Sequence, residues 1–313
     1  MLKVEIASPD VLADCLSIGY EKLLNDSERC RWMDLWRAKI AEGAALACFV
    51  KGRNDQPMGF WISFGLTALF AEQMHRMSMS LCRRVLWQHS AVASSAQLVK
   101  AHRGHGVDLG LCYAVHPALP LSDAHRVRHL LYQSFTELHR GLNLRSIWCE
   151  VCEEIDAHCL DNLGMTRHAA PDNRAWAGRA MQPYLMVAHR EQVIAKGRVG
   201  TPLYGLFLYD SPPVCLSATT RLQIQLGVTA SLDDKAISHL LSCSEASVRQ
   251  RWHRLRLLLS RQLEISLALL KSRHALLRWL AQVPHWWQPL RWLPVRNPVT
   301  IPAAPHYMLP EGA

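Results

Sequence analysis

The segment VDLGLCYAVHPALPLSDAHRVRHLL, residues 107–131, decides the fold class of this chain. Its first nine residues are mostly apolar and predict a β-strand that ends at His116-Pro117. Ser122 is a suitable N-cap for a following helix, and apolar residues recur at helical spacing up to His139. A strand that leads directly into an amphipathic helix is a building unit of α/β domains.

The sequence on both sides of this segment continues the same pattern. The predicted elements are helices within 8–42, a β-hairpin over 45–66, strands at 146–151 and 183–189, and a helix at about 156–162. The order is helices, hairpin, strand, helix, strand, helix and strand. It predicts an α/β domain over residues 1–192, in which helices flank a mixed sheet.

This element order, together with LDNLGM at 160–165, resembles the GNAT superfamily of acetyltransferases. The resemblance implies a loop of the form Arg/Gln-x-x-Gly-x-Gly/Ala after a strand, whose backbone N–H groups hold the pyrophosphate of coenzyme A. This chain has no glycine between residues 117 and 140, so side chains would obstruct that approach. The tyrosine that many members use as a general acid is also replaced, because Leu160 stands near that position.

These two departures argue against enzyme activity in the N-terminal domain. We therefore expect the domain to sense a small-molecule or protein effector, or to pair two protomers, and we expect no cofactor. An acyl-CoA-dependent N-acyltransferase with an appended helical module is the alternative function.

The composition limits the class of protein further. The net charge of +9 and the pI near 9.2 favour a polyanionic partner, nucleic acid or an anionic membrane surface, with solvated charge as an equal alternative. Ten cysteines lie mostly within apolar segments and predict reduced core thiols. The N-terminus lacks a signal-peptide pattern, and no apolar run reaches the ~18 residues of a spanning helix. We expect a soluble cytoplasmic protein.

A C-x-x-C pair followed by His-Cys could suggest a metal site. Cys149 and Cys152 lie in or just after a predicted strand, where residues three apart point to opposite faces. His158 and Cys159 would then not join both thiols around one ion, so we expect no metal. The tryptophans of residues 32–148 are expected to pack in the core and not to line a ligand pocket.

The chain changes character between residues 193 and 215. This stretch is rich in glycine and proline, and two consecutive prolines exclude a continuous helix, so a linker is predicted there. Beyond the linker, a helix is predicted from Ser217 through Gly227. A second helix, capped by Asp233, is predicted over 234–241.

The stretch DDKAISHLLSCSEASVRQRWHRL, residues 233–255, predicts two helices separated by a three-residue turn. Ser244 caps the second helix, whose buried stripe is Val248, Trp252 and Leu255 and whose other face is basic. The stretch resembles the helix-turn-helix of LuxR-type transcriptional regulators, in which the second helix enters the major groove. The residues that carry the resemblance are Lys235, Ile237, Ser238, Leu241, Ser244, Glu245, Ser247, Val248 and Arg249.

This resemblance implies a transcription regulator that binds double-stranded DNA through an all-α helix-turn-helix domain at residues 216–275. Arg and Gln side chains match guanine and adenine edges, and Ser and Lys side chains reach phosphate. The expected DNA-binding residues are Lys235, Ser244, Ser247, Arg249, Gln250, Arg251 and Arg254. The leucine-rich extension past residue 256 is expected to form a homodimer seam, because two-fold operators need two copies of the reading helix.

Residues 276–313 form a tail that is rich in tryptophan and proline. A basic helix that carries tryptophans can lie in a membrane interface. The prolines of this tail break any long amphipathic surface. We therefore expect the tail to fold back on the protein or to support dimerisation, without membrane contact.

Overall fold

The computed structural model describes residues 2–7, 11–19, 24–52, 56–74, 80–151, 153–168, 184–196, 203–209, 214, 216–228, 230–268, 270–283, 287 and 299–301. Within them, eight strands form one sheet, and helices cover both of its faces. The predicted mixed sheet with flanking helices is therefore confirmed for the N-terminal part of the chain.

The strands are arranged in the order β6-β7-β5-β4-β3-β2-β1-β8. In chain order they are β1 (Lys3–Ile6), β2 (Ala45–Lys51), β3 (Pro57–Leu66), β4 (Val107–Val115), β5 (Leu144–Val151), β6 (Thr166–Arg167), β7 (Tyr184–His189) and β8 (Val299–Ile301). Among these strands the β4–β5 pair is parallel and every other neighbouring pair is antiparallel. The β2–β3 hairpin and β4 lie where the sequence predicts them. The strands β1, β6 and β8 are not predicted, because none is longer than four residues and so short a strand carries little pattern.

Helices connect these strands and continue beyond them. They are α1 (Leu12–Gly19), α2 (Asp26–Glu42), α3 (Ala68–Met74), α4 (Leu81–Trp87), α5 (Ser95–Arg103), α6 (Leu121–His139), α7 (Glu154–Asn162), α8 (Arg190–Ala195), α9 (Tyr204–Phe207), α10 (Ala218–Val228), α11 (Asp234–Leu240), α12 (Glu245–Leu263) and α13 (Arg273–Leu280). None of the helices in the described residues combines the length and the apolarity that crossing a bilayer requires.

Two hydrophobic layers enclose the sheet. On one face, α1 and α2 cover β2 and β3, α4 packs on β5, and the rings of Trp32 and Trp36 pack edge-on or tilted against Phe60 and Phe64. On the other face, α6 lies over β2, β3 and β4, and α7 lies over β5 and β7. The expected core role of the tryptophans is confirmed for Trp32, Trp36, Trp61 and Trp148, which are fully buried. Trp87 is 64% exposed, so that expectation is wrong for this residue.

The helix that follows β4 begins earlier than predicted. It starts at Leu121 with Pro120 at the N-cap position, and Ser122 lies inside its first turn. Pro120 has a fixed φ of −53° and carries no N–H group, so it turns the chain into the helix without a side-chain cap. The predicted capping role of Ser122 is therefore wrong.

The C-terminal helices α10–α13 bury an apolar cluster of their own, which contains the predicted stripe Val248, Trp252 and Leu255. The left-handed φ of 50° at Ser242 follows the end of α11. Ser244 Oγ then accepts the N–H of Ser247 and caps α12. The helix bounds agree with the prediction, but a helix-turn-helix domain is not confirmed, since capped and packed helix pairs are common in all-α units.

Parts of the expected linker and tail are structured. The short helix α9 buries Leu206 and Phe207 in the same cluster that underlies α6. The strand β8, which lies in the expected tail, pairs with β1 at the edge of the sheet. The apolar cluster of the α/β part therefore extends into the segment expected to be a linker.

Candidate functional site

The ladder between β4 and β5 ends before either strand does, and we call the end of this ladder the β4–β5 opening. Their parallel ladder ends where Cys112 pairs with Glu150, but β4 continues to Val115 beside β3, and β5 continues to Val151 beside β7. Tyr113 and the two residues after it are therefore held on the β3 side only.

A cavity of about 60 Å³ lies next to this opening, on the face that α6 and α7 cover. Leu111 and Tyr113 of β4 and Ile147 of β5 form its floor. Its walls come from the two helices and are mostly apolar, with Leu131, Phe135 and Leu160 among them. This volume corresponds to about two water-sized groups, so the cavity suits a short apolar substituent.

The main polar feature of this cavity is a buried ion pair. Arg128 Nε on α6 donates to Asp156 Oδ1 on α7 over 2.6 Å, with side-chain exposures of 12% and 3%. Burial raises the pKa of Asp156 by more than Arg128 lowers it. The pKa of Arg128 is raised, since its hydrogen bond to Asp156 and the charge of that carboxylate outweigh desolvation. The pair connects the two helices at the edge of the cavity.

A second polar cluster lies at the same opening, on the opposite face of the sheet. Ser80, the N-cap of α4, donates its Oγ hydrogen to Glu150 Oε1 over 2.9 Å and accepts the N–H of Arg83 over 3.3 Å. Burial raises the pKa of Glu150 to about 7, although Ser80, the N–H groups of Leu81 and Cys82 and the charge of Arg83 lower it. Glu150 can therefore exchange a proton near neutral pH. The same carboxylate also supports the N-terminus of α4.

The Cys82 thiol beside Glu150 is held in its protonated form. Burial raises the pKa of Cys82 well above its ordinary value, and the neighbouring Cys112 and Glu150 raise it further. A thiol that stays protonated is a poor nucleophile and a poor metal ligand. The cysteines that the structure describes are free, and most are buried, as expected for core thiols. Cys152 lies outside the described residues, and the described part of the chain contains no group of three or more possible metal ligands.

The β4–α6 connection is where the GNAT resemblance implies a pyrophosphate loop. His116 N–H donates to the carbonyl oxygen of Met58 over 2.9 Å, Ala118 N–H to His116 Nδ1 over 3.2 Å, and Leu119 N–H to the carbonyl oxygen of His116 over 3.2 Å. Pro117 and Pro120 have no N–H group. Every backbone nitrogen from 116 to 120 is therefore engaged or lacks a hydrogen, and this connection does not fit a coenzyme A pyrophosphate.

The residues predicted to bind DNA lie on α11, α12 and the turn between them. The Ser244 and Ser247 hydroxyls bond to each other over 2.9 Å, and the Arg249 guanidinium pairs with the Glu245 carboxylate over 2.8 Å. Arg251 points towards α10 and contacts the side chains of Gln223 and Cys243. Five of the seven predicted residues are exposed: Lys235, Ser244, Arg249, Gln250 and Arg254.

Sequence reasoning missed the residues at the sheet opening. Arg128 lies next to the buried positions of α6 and pairs with Asp156. Its position one residue after the buried Val127 was the available signal. Glu150 could have been noticed as the one charged residue in the run SIWCEV. Its partner Ser80 lies 70 residues away in sequence, which no local pattern reveals.

Comparison with known proteins gives structural matches only. A mutant of the spermidine N-acetyltransferase from Vibrio cholerae is 11% identical, with 63% of this chain and 98% of that chain covered and a TM-score of 0.39. The manganese complex of the spermidine/spermine N-acetyltransferase from the same organism is 13% identical, with coverages of 63% and 97% and a TM-score of 0.32. A putative acetyltransferase from Acinetobacter baylyi is 11% identical, with coverages of 60% and 93% and a TM-score of 0.35. No family model and no curated protein matches the chain.

The prediction of a LuxR-type, DNA-binding transcription regulator is wrong. The solved structures that resemble this chain are acetyltransferases, and nothing supports a LuxR-type domain at the C-terminus. At these identities and TM-scores, the likeness assigns neither an activity nor a substrate to this chain. An activity must therefore be inferred from the β4–β5 opening and the groups around it.

Proposed function

We propose that the α/β part of the chain is an N-acyltransferase domain, which transfers an acyl group from a thioester to an amine. The observation that carries this proposal is the opening between β4 and β5, with the apolar cavity beside it. The cavity accommodates about two water-sized groups, which suits a short acyl chain. Edge amides and carbonyls of a divided sheet offer hydrogen bonds to an extended polar chain that enters between the strands.

The chemistry of this transfer requires a proton acceptor. The amine nitrogen bonds to the thioester carbonyl carbon, the carbon–sulfur bond breaks, the thiolate departs, and the nitrogen releases a proton. Glu150 has a pKa of about 7, but it lies on the face of the sheet opposite the cavity, so we assign the proton to the departing thiolate and not to this carboxylate.

The C-terminal helices belong to this proposal as an accessory unit. We place the unit at residues 216–275, where α10, α11 and α12 enclose an apolar cluster of their own. An exposed basic surface on α12 is compatible with simple solvation. Homodimerisation and a separate effector stay predictions, and analytical ultracentrifugation measures the first of them.

The test is a combined binding and turnover experiment on the full chain. Acetyl-coenzyme A and S-acetylpantetheine are titrated into the protein by calorimetry, and thiol release is followed with a panel of amines. The panel includes spermidine, because similar structures act on it, and uncharged-chain amines, because a net charge of +9 repels a polycation. We expect binding of a thioester and amine-dependent thiol release. Absence of both with every thioester would contradict the proposal.

A further inference from the structure

The β4–α6 connection indicates which part of an acyl donor the protein would bind. An enzyme that grips a diphosphate presents several free backbone N–H groups and a helix N-terminus towards it, usually from glycines that allow close approach. In this chain the three N–H groups of residues 116–119 already have acceptors, and the two prolines supply none. The connection therefore offers no free donor to a diphosphate, and only the first-turn N–H groups of α6, from Leu121 to Asp123, are left to provide one.

The first turn of α6 is also unsuited to phosphate. Asp123 places a carboxylate in this turn, where it interacts favourably with the helix dipole and repels another anion. Leu121 opens the helix with an apolar side chain that is 63% exposed. Two basic residues on this part of the helix, His125 and Arg126, are exposed and lie in its second turn.

The structure does offer a place for the acyl end of the donor. The β4–β5 opening and the cavity beneath α6 and α7 suit the acyl group and the thin amide chain that carries it. We propose that this domain recognises an acyl-pantetheine thioester through its acyl and pantetheine portions and makes no productive contact with a nucleotide diphosphate. This inference rests on the proposed function. The thioester can come from free acyl-coenzyme A or from the prosthetic arm of an acyl carrier protein.

Calorimetry on the full chain tests the inference. Acetyl-coenzyme A, S-acetylpantetheine and an acetylated carrier protein are titrated separately, and adenosine 3′,5′-bisphosphate is added as a competitor. We expect the two small thioesters to bind within about threefold of each other, with no competition by the bisphosphate. If acetyl-coenzyme A binds more than about tenfold tighter and the bisphosphate competes, the inference is wrong while the acyltransferase proposal stands. If no thioester binds, both fail.

A matched pair of variants excludes a phosphate contact from a side chain. Arg126→Ala removes the exposed cation nearest to the start of α6, and Arg140→Ala removes an exposed cation beyond its C-terminal end as a control. We expect both variants to bind acetyl-coenzyme A and S-acetylpantetheine as the wild type does. A selective loss of acetyl-coenzyme A affinity in Arg126→Ala alone would show that a phosphate is held there and would overturn the inference.

Discussion

The buried carboxyl group of Glu150 links proton binding to the stability of the fold. Its carboxyl group lies in an apolar layer at the end of β5, held by Ser80 and by the first turn of α4. Burial disfavours the charged form, whereas hydrogen bonds and Arg83 favour it. Burial has the larger effect, so the group titrates near neutral pH in the folded protein.

This shift predicts a pH dependence of stability. Burial raises the pKa of Glu150 from the ordinary 4.5 to about 7, so the folded state binds an extra proton between these values. The contribution of Glu150 to the free energy of unfolding should therefore fall by up to about 3 kcal/mol as pH rises from 4.5 to 7, and stay level above 7. The difference in unfolding free energy between wild type and Glu150→Gln, taken from urea unfolding curves across the range, should show this decrease. Glu191→Gln, at an exposed glutamate of α8, should keep the wild-type slope, and an unchanged slope in Glu150→Gln would contradict the account.

His139 should have the opposite effect. Its Nδ1 hydrogen bonds to the carbonyl oxygen of Phe135, and its Nε2 accepts from Ser63 Oγ over 2.7 Å. Burial lowers the pKa of His139 to about 4, although the Phe135 carbonyl raises it. The folded state thus binds fewer protons than the unfolded chain between pH 6.5 and 4, so stability is lost as pH falls through this range.

The buried His102, whose pKa is also lowered to about 4 by burial and by the charges of Arg221 and Arg103, contributes in the same direction. In His139→Gln the acid-induced loss between pH 6.5 and 4 should be smaller by up to about 3 kcal/mol, even though lost packing lowers stability at neutral pH. Circular dichroism of urea unfolding at several pH values measures this. An acid slope equal to that of the wild type would show that His139 is not held neutral.

At the scale of elements, the ion pair between α6 and α7 fixes the wall of the cavity. Both side chains are nearly buried, so removing one partner leaves a charge without compensation. Asp156→Leu should lower the free energy of unfolding by about 3 kcal/mol, whereas the double variant Arg128→Met with Asp156→Leu should lose much less. Urea unfolding of the single variants and of the double variant gives the coupling energy. A double variant whose loss equals the sum of the losses in Asp156→Leu and Arg128→Met would mean that the pair is not coupled.

The elements themselves were the most predictable part of the structure. The strand β4 has the predicted bounds, and Ser244 caps α12 as predicted, because apolar runs and caps are local properties. The predicted start of α6 was wrong, because the helix begins at Leu121, directly after Pro120, and Ser122 does not cap it. The β4–β5 opening could not be predicted, because the end of a ladder depends on strands that are distant in sequence.

At the scale of the whole molecule, the LuxR resemblance misled because its signals are not specific. A serine cap, a stripe at Val248, Trp252 and Leu255, and a charged outer face are what any packed pair of helices requires. The mixed α/β arrangement was predictable from element order, since alternating strands and helices restrict the possible folds. The candidate site was not predictable, because it contains contacts such as Arg128–Asp156 and Ser80–Glu150 that join distant segments.

The central claim is that the cavity beside the β4–β5 opening holds the acyl end of a thioester. Leu160→Phe adds volume to the wall of this cavity, and Leu121→Phe makes the same change at an exposed position of α6 as the control. The decisive measurement is calorimetric titration of S-acetylpantetheine into wild type and both variants, with thermal unfolding as a check on folding. We expect at least a tenfold loss of affinity, about 1.4 kcal/mol, in folded Leu160→Phe alone. Equal affinity in all three proteins would contradict it.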